Sequence, residues 1–169
     1  MVLYQEECLL FIRDNLCFVV FIIVERVMKS EVIIPQSSSP EDIKRRRQII
    51  KDFYAQWISE HPEKTIWNES LGAFIHVKGL SINEILGHAP RSAEATEVQF
   101  HLTEILSDAR FSERWQPKYG DKNQKSFSIM YLLKWKGCRV LVGYQRSKGE
   151  YVLYYISGGQ KKPPGSDFK

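Results

Sequence analysis

Three segments near the C-terminus combine alternating side chains with a high content of β-branched and aromatic residues, which is typical of β-strands. They span residues 127–135, 138–146 and 151–156. Lys136-Gly137 and Lys148-Gly149 separate the segments and predict two-residue hairpin turns, because glycine readily takes the positive φ that such turns require. The sequence therefore predicts an antiparallel meander of three strands.

Alternation along these strands assigns every side chain to one of two faces. The predicted core face carries Ile129, Tyr131, Leu133, Trp135, Val140, Val142, Tyr144, Leu153 and Tyr155. The other face is mixed and is expected to be partly open; it carries Ser128, Met130, Lys134, Arg139, Gly143, Gln145, Val152 and Tyr154. Tyr154 and Tyr155 fall on opposite faces by this rule, so we expect only Tyr154 beside Lys134 and Arg139.

Helical periodicity dominates the chain before the meander. Ser39 and Pro40 predict a helix start, and the helix should end near His61-Pro62. Its apolar stripe consists of Ile43, Ile50, Phe53, Tyr54, Trp57 and Ile58. A short strand is predicted at 72–79, then a helical pair at 81–86 and 92–109, broken at 87–91, and a polar linker at 110–124. The second helix of the pair has a stripe of Ala95, Val98, Leu102, Ile105 and Leu106.

These elements predict an α+β fold, in which an N-terminal helix, a short strand and a helical pair precede the meander and the helices pack on one sheet face. The domain should span residues 40–157, after a linker at 28–39 and before a disordered tail at 158–169. An apolar extension covers residues 1–27. Two interpretations of it remain open: a buried element of the domain, or a segment foreign to the domain upstream of a true start at Met28.

Charge is distributed unevenly over the 169 residues. Residues 1–117 contain 13 Lys/Arg against 17 Asp/Glu, whereas residues 118–169 contain 11 against 3. A basic C-terminal third rich in Tyr and Trp suits a polyanionic partner.

Composition and spacing exclude several classes of protein. The three cysteines lack C-x-x-C spacing, which argues against a disulfide scaffold and indicates the cytoplasm. The four histidines do not follow metal-ligand spacing, and phosphate-binding glycine loops and the G-x-S-x-G motif are absent, so no metal or cofactor is expected. The nine-residue apolar run at 16–24 is too short to cross a bilayer, so no membrane partner is expected either.

The order of elements resembles the barnase–EndoU–colicin–RelE type nuclease domains, and most closely those attached to large polyvalent proteins of phages and mobile elements. The resemblance rests on the N-terminal helix, the strand around 71–77, the helix at 102–109 and the terminal meander. It covers residues 40–157 and involves no diagnostic motif. It implies a metal-independent ribonuclease, often deployed as a toxin, with RNA such as tRNA as substrate and a cognate inhibitor as protein partner.

Metal-independent RNA cleavage needs a base, an acid and a cation for the phosphate. His88 is the leading candidate for proton transfer, because a loop at the helix break would expose it, with Arg91 beside it; the alternative is that His88 merely ends a helix. Arg146 would bind the phosphate, and Tyr154 would supply a hydroxyl group. These four residues form the predicted catalytic set.

Basic residues of the meander and of the preceding loop form the predicted nucleic-acid surface. They are Lys134, Arg139, Lys148, Lys118, Lys122 and Lys125. The run Lys44-Arg45-Arg46-Arg47 is interpreted instead as a solvated helix face. Two alternatives to the enzyme remain: a non-catalytic module that binds nucleic acid or protein through the basic sheet face, and an interaction protein that binds a partner chain through apolar surface.

Overall fold

A computed structural model describes residues 32–158, within which the chain from Ile34 onward forms one compact unit. The predictions for the extension at 1–27 and for the tail after Gly158 lie outside the described residues. No helix in the described part of the chain is long and apolar enough to cross a membrane.

The fold is α+β, as the sequence predicts. The helices are α1 (Pro40–Glu60), α2 (Gly79–His88), α3 (Ala93–Val98) and α4 (Leu102–Asp108), with 3-10 helices at Ala89–Arg91 and Gln99–His101. The strands are β1 (Thr65–Asn68), β2 (Ala73–His76), β3 (Arg110–Trp115), β4 (Ile129–Trp135), β5 (Cys138–Gln145) and β6 (Glu150–Ser157). All six form one sheet in the order β1-β2-β6-β5-β4-β3, in which only the β2–β6 pair is parallel.

Helix α1 begins and packs as predicted. The Ser39 hydroxyl accepts a hydrogen bond from the Asp42 backbone N–H at 3.1 Å, and Pro40 occupies the first helical turn. Ile50, Tyr54 and Trp57 are buried in the main core. The stripe of apolar residues read from the sequence therefore fixes this helix against the domain.

The basic run on α1 is not wholly a solvated face, and this corrects the sequence interpretation. Arg46 is only 1% exposed. Its guanidinium group donates hydrogen bonds to the backbone carbonyls of Pro90 at 2.7 Å, Pro35 at 2.6 Å and Ser37 at 2.8 Å. Arg46 therefore joins α1 to the segment before it and to the 3-10 helix after His88.

The hairpin turns of the meander agree with the prediction at one position only. Lys136 and Gly137 take φ values of 42° and 84° between β4 and β5, as a tight two-residue turn requires. The β5–β6 connection has four residues, 146–149, rather than two. The backbone N–H groups of Lys148 and Gly149 both donate to the Gln145 carbonyl, which closes the longer loop.

The predicted core face of the meander does form the main core. Leu133, Trp135, Val140, Val142 and Leu153 are buried there with the helices. The opposite face is less open than expected, because it carries a second apolar cluster of Phe127, Met130, Val152 and Tyr154. The Phe127 ring lies directly over Gly143, where an added Cβ atom would come within 2.4 Å of the ring.

A β-bulge overturns the prediction that Tyr154 and Tyr155 point to opposite faces. Strand β5 pairs Val142 with Leu153 but Leu141 with Tyr155, so Tyr154 is an extra residue in β6. At a bulge, two successive residues oppose one residue of the partner strand, which interrupts the alternation of side chains. Both tyrosines accordingly line the same cavity, described below.

The segments before the meander depart from the sequence reading in four places. Helix α2 continues through Gly87 to His88 instead of ending at residue 86, and a 3-10 segment at Gln99–His101 divides the predicted helix 92–109. Strand β3 occupies the start of the predicted linker 110–124, and β1 was not foreseen. Strands β1 and β3 are short edge strands, and β3 is mostly exposed, so neither carries the apolar pattern of a buried strand.

Candidate functional site

A concave cavity of about 410 Å³, which we call the central cavity, lies beside the β5–β6 bulge. Helix α2, strands β3 to β6 and the loop before β4 all contribute to its wall. Its lining residues are Glu84, His88, Trp115, Lys118, Asp121, Gln124, Met130, Arg139, Leu141, Tyr154 and Tyr155. The central cavity therefore gathers four predicted site residues, His88, Tyr154, Lys118 and Arg139, from separate parts of the chain.

Helix α2 supplies two groups that can carry protons. Glu84 and His88 are four residues apart on the helix, so they lie on one face, and both line the central cavity. His88 is exposed, and its ring meets the Tyr155 ring edge to face at a centroid distance of 5.5 Å. His88 is the last residue of α2 rather than part of a loop, yet it is as accessible as the sequence reading requires.

The two tyrosines at the bulge are held in their neutral form. Burial raises the pKa of Tyr154, and the nearby Glu84 carboxylate raises it further, while a hydrogen bond with Gln124 acts in the opposite direction. Burial also raises the pKa of Tyr155, against the effect of the positive charge of Arg91. Both side chains can therefore donate a hydrogen bond through a neutral hydroxyl group, and the carboxylates near the Tyr154 hydroxyl are Glu84 and Asp121.

The loop at 116–128, which we call the basic loop, closes one side of the central cavity. The Asn123 side-chain amide donates to the Glu84 carboxylate at 2.6 Å, and the Lys118 backbone N–H donates to the Gln124 side-chain oxygen at 3.0 Å. These bonds tie the loop to α2 and close it on itself. The position of Lys118 in the cavity wall depends on this closure.

A second cavity, of about 730 Å³, lies along the basic loop, and we call it the loop cavity. Lys118, Lys122 and Lys125 line it together with Arg146, and Asp121 is the one carboxylate in its wall. Lys118, Asp121 and Gln124 line both cavities. Arg146 therefore lies with the predicted loop lysines and does not line the central cavity with His88.

The remaining predicted residues lie outside both cavities. Arg91 is exposed at the end of the 3-10 helix after His88, and its charge reaches Tyr155. Lys148 is in the β5–β6 loop, where its charge helps to lower the pKa of Glu150. Lys134 is exposed on β4 and lines a third cavity, of about 660 Å³, with Arg110.

Sequence reasoning missed several cavity residues, of which Glu84 is the most useful chemically. The i,i+4 spacing of Glu84 and His88 is a usable signal, but a helix predicted to end at residue 86 leaves His88 outside it. Trp115 was missed because its segment was read as a linker, and Asp121 and Gln124 because a loop has no periodicity. Within residues 32–158, no group of three or more His, Cys, Asp or Glu residues could hold a metal ion.

The fold and the cavity define a small α+β domain with a cavity of mixed charge beside a bulged sheet. The family model for large polyvalent protein-associated domain 3 matches residues 44–135, more than half of the chain. The chain belongs to this family, which confirms the expected link to large polyvalent proteins. A search of curated proteins finds no match. A search of solved structures finds none either.

Proposed function

We propose that this domain is a metal-independent endoribonuclease that acts in the cytoplasm and whose active site is the central cavity. One observation carries the proposal: the cavity combines two proton-transfer groups, Glu84 and His88, with two cations, Lys118 and Arg139. RNA cleavage without a metal needs this combination, because a proton must leave the 2′-hydroxyl, another must reach the leaving 5′-oxygen, and the phosphate gains charge.

The reaction follows from these roles. The 2′-oxygen of RNA attacks the adjacent phosphorus and transfers its proton to a base, while the bond from phosphorus to the 5′-oxygen breaks and an acid protonates that oxygen. Exposed His88 carries out one of these transfers and Glu84 the other. Arg139 and Lys118 stabilise the phosphate, and the neutral Tyr154 hydroxyl donates a hydrogen bond to it.

Membership of the family gives the proposal its biological setting. The family model refers to large polyvalent proteins, and we infer that the domain serves such a protein of a phage or mobile element as a toxin-like nuclease. A cognate inhibitor is then the expected protein partner. Such an inhibitor would need to cover the central cavity.

The test is incubation of the full chain with total RNA and with end-labelled tRNA in the presence of EDTA. We expect cleavage that leaves 2′,3′-cyclic phosphate ends, together with at least a hundredfold loss of rate in His88→Ala and in Glu84→Gln. Arg139→Gln should lower the rate as well. His101→Ala is the matched control, because His101 is also exposed but lines neither cavity.

Folding of each variant is checked by circular dichroism and thermal unfolding. Absence of cleavage by the folded wild-type chain, or equal rates for His88→Ala and His101→Ala, would contradict the proposal. Cleavage that appears only when a divalent cation is added would contradict the metal-independent mechanism.

A non-catalytic RNA-binding module is the second candidate, and the loop cavity favours it. Four cations and a single carboxylate line this cavity, and the neighbouring Tyr119 side chain is fully exposed and free to stack on a base. A binding module would bind RNA and would not cleave it. Its RNA binding would be lost in Lys122→Gln and Arg146→Gln and retained in His88→Ala. That result would favour the RNA-binding function over the ribonuclease function.

A further inference from the structure

Three cations lie directly opposite one another on adjacent strands of the sheet. Arg110 on β3 pairs with Lys134 on β4, and Lys134 pairs with Arg139 on β5. All three side chains are exposed. Because residues directly opposite each other place their side chains on the same face, the three form a line across the sheet, which we call the cation row.

The three positive charges of the cation row repel one another across the sheet. Like charges at directly opposed positions repel each other and destabilise a sheet. Within residues 32–158, the ion pairs are those of Lys78 with Glu150 and His101 with Glu104, so no carboxylate forms an ion pair with the row. An external anion would relieve the repulsion along the whole row.

We infer that the cation row binds the phosphate backbone of a single RNA strand and leads it into the central cavity. The inference rests on the proposed function in this respect: Arg139 belongs both to the row and to the cavity wall, so the two surfaces are continuous. Adjacent strands are about 4.8 Å apart, so the row covers about 10 Å, enough for a few consecutive phosphates of one strand.

The surroundings of the row favour one strand over a duplex. Glu113 opposes Leu132 on the same face, and Glu69 and Asp108 line the third cavity beside Arg110 and Lys134. These carboxylates place negative charge beside the cation row. A second phosphate backbone alongside the first would meet negative charge.

The inference is tested by binding of a labelled single-stranded 2′-O-methyl RNA, which cannot be cleaved because it has no free 2′-hydroxyl. Fluorescence anisotropy is measured with the full chain over a series of salt concentrations. Arg110→Gln and Lys134→Gln should each weaken binding about fivefold at about 0.1 M salt. Each should also reduce the slope of log K against log salt by about 0.7.

Arg114→Gln is the matched control. Arg114 is an exposed arginine on the same strand, but it pairs with Tyr131 and so lies on the other face of the sheet. Its replacement should leave both affinity and salt slope at wild-type values. Equal effects of Arg110→Gln and Arg114→Gln would overturn the inference, as would tighter binding of a duplex of the same length.

Binding and cleavage fail separately in this design. If the chain binds the probe through the cation row but cleaves no RNA, the proposed ribonuclease activity is contradicted and the inference that the row binds RNA is supported. If the chain cleaves RNA and the KM is unchanged in Arg110→Gln and Lys134→Gln, the inference that the cation row binds RNA is overturned and the proposed ribonuclease activity is supported.

Discussion

The Ser81 hydroxyl donates a hydrogen bond to the backbone carbonyl of Leu153, at the point where the β-bulge interrupts the β5–β6 ladder. The same hydroxyl accepts from the Lys78 backbone N–H at 3.1 Å. Ser81 therefore satisfies a main-chain group in the bulged segment and fixes the start of α2 against it. Because Glu84 and His88 belong to the same helix, this contact also joins the helix that lines the central cavity to strand β6, which lines it as well.

Replacement of Ser81 should weaken the fold measurably. Ser81→Ala leaves the Leu153 carbonyl buried without its partner, and we expect a loss of about 1–3 kcal/mol in the free energy of unfolding. Urea denaturation measures it. Ser59→Ala is the control, because the Ser59 hydroxyl bonds to Gln56 on an exposed part of α1 and its loss should change stability by less than about 0.5 kcal/mol. Equal effects of the two variants would show that the bulge contact contributes nothing.

The Phe127 ring, near the end of the basic loop, packs against Gly143, and this contact should contribute to the stability of the domain. Gly143→Ala would place a methyl group within the Phe127 ring, so the ring must move and the second apolar cluster must open. We expect a loss of about 1–3 kcal/mol in the free energy of unfolding.

Gly87→Ala is the matched control for that substitution. Nothing lies within 4 Å of a Cβ atom at Gly87, which is inside α2, so alanine there should stabilise the domain by about 0.5–1 kcal/mol. Urea unfolding of the two variants should therefore shift in opposite directions. A stabilising effect of Gly143→Ala would contradict the close packing of the ring.

The sequence predicted those parts of the fold that depend on local pattern. The Ser39 cap, the apolar stripe of α1 and the core face of β4 and β5 follow from spacing alone. The shared position of Tyr154 and Tyr155 does not, because the bulge that brings them together arises from the pairing of two strands. The burial of Arg46 likewise depends on backbone carbonyls outside α1, one of them 44 residues along the chain, so a run of four basic residues could not reveal it.

The candidate site shows the same division. His88 is predicted from its residue type and from its place at a predicted helix break, and the basic loop is predicted from its lysines. The residues that line the central cavity with His88 could not be predicted in this way. Their position depends on the continuation of α2 through Gly87 and on the hydrogen bond between the basic loop and Glu84. The separation of Arg146 from His88 is a matter of tertiary placement, which no local pattern encodes.

The ionisation of Glu150 should make the free energy of unfolding of the domain depend on pH. A hydrogen bond from Lys78, together with nearby positive charges, holds the pKa of Glu150 below its ordinary value of 4.5, against a smaller opposing effect of burial. A carboxyl group whose pKa is lowered by folding stabilises the folded state above its ordinary pKa, and this contribution disappears as the pH falls through the lowered pKa.

We therefore expect Glu150→Gln to be less stable than wild type near neutral pH and to approach it in acid. Urea unfolding over a pH series measures the difference. Glu97→Gln, at an exposed position on α3, should show no such convergence. A constant difference between Glu150→Gln and wild type across the series would show that the ion pair does not contribute.

Arg46 and Arg47 are adjacent in the same basic run, yet their replacement should have very different consequences. Arg46→Ala removes three hydrogen bonds to backbone carbonyls and leaves a buried space, so we expect a loss of about 2–4 kcal/mol in the free energy of unfolding. Arg47 is exposed, and Arg47→Ala should change stability by less than about 0.5 kcal/mol. Because Arg46 binds the carbonyl of Pro90, two residues beyond His88, Arg46→Ala should also lower the cleavage rate, whereas Arg47→Ala should not. Equal stability of the two variants would show that the run acts only as a charged surface.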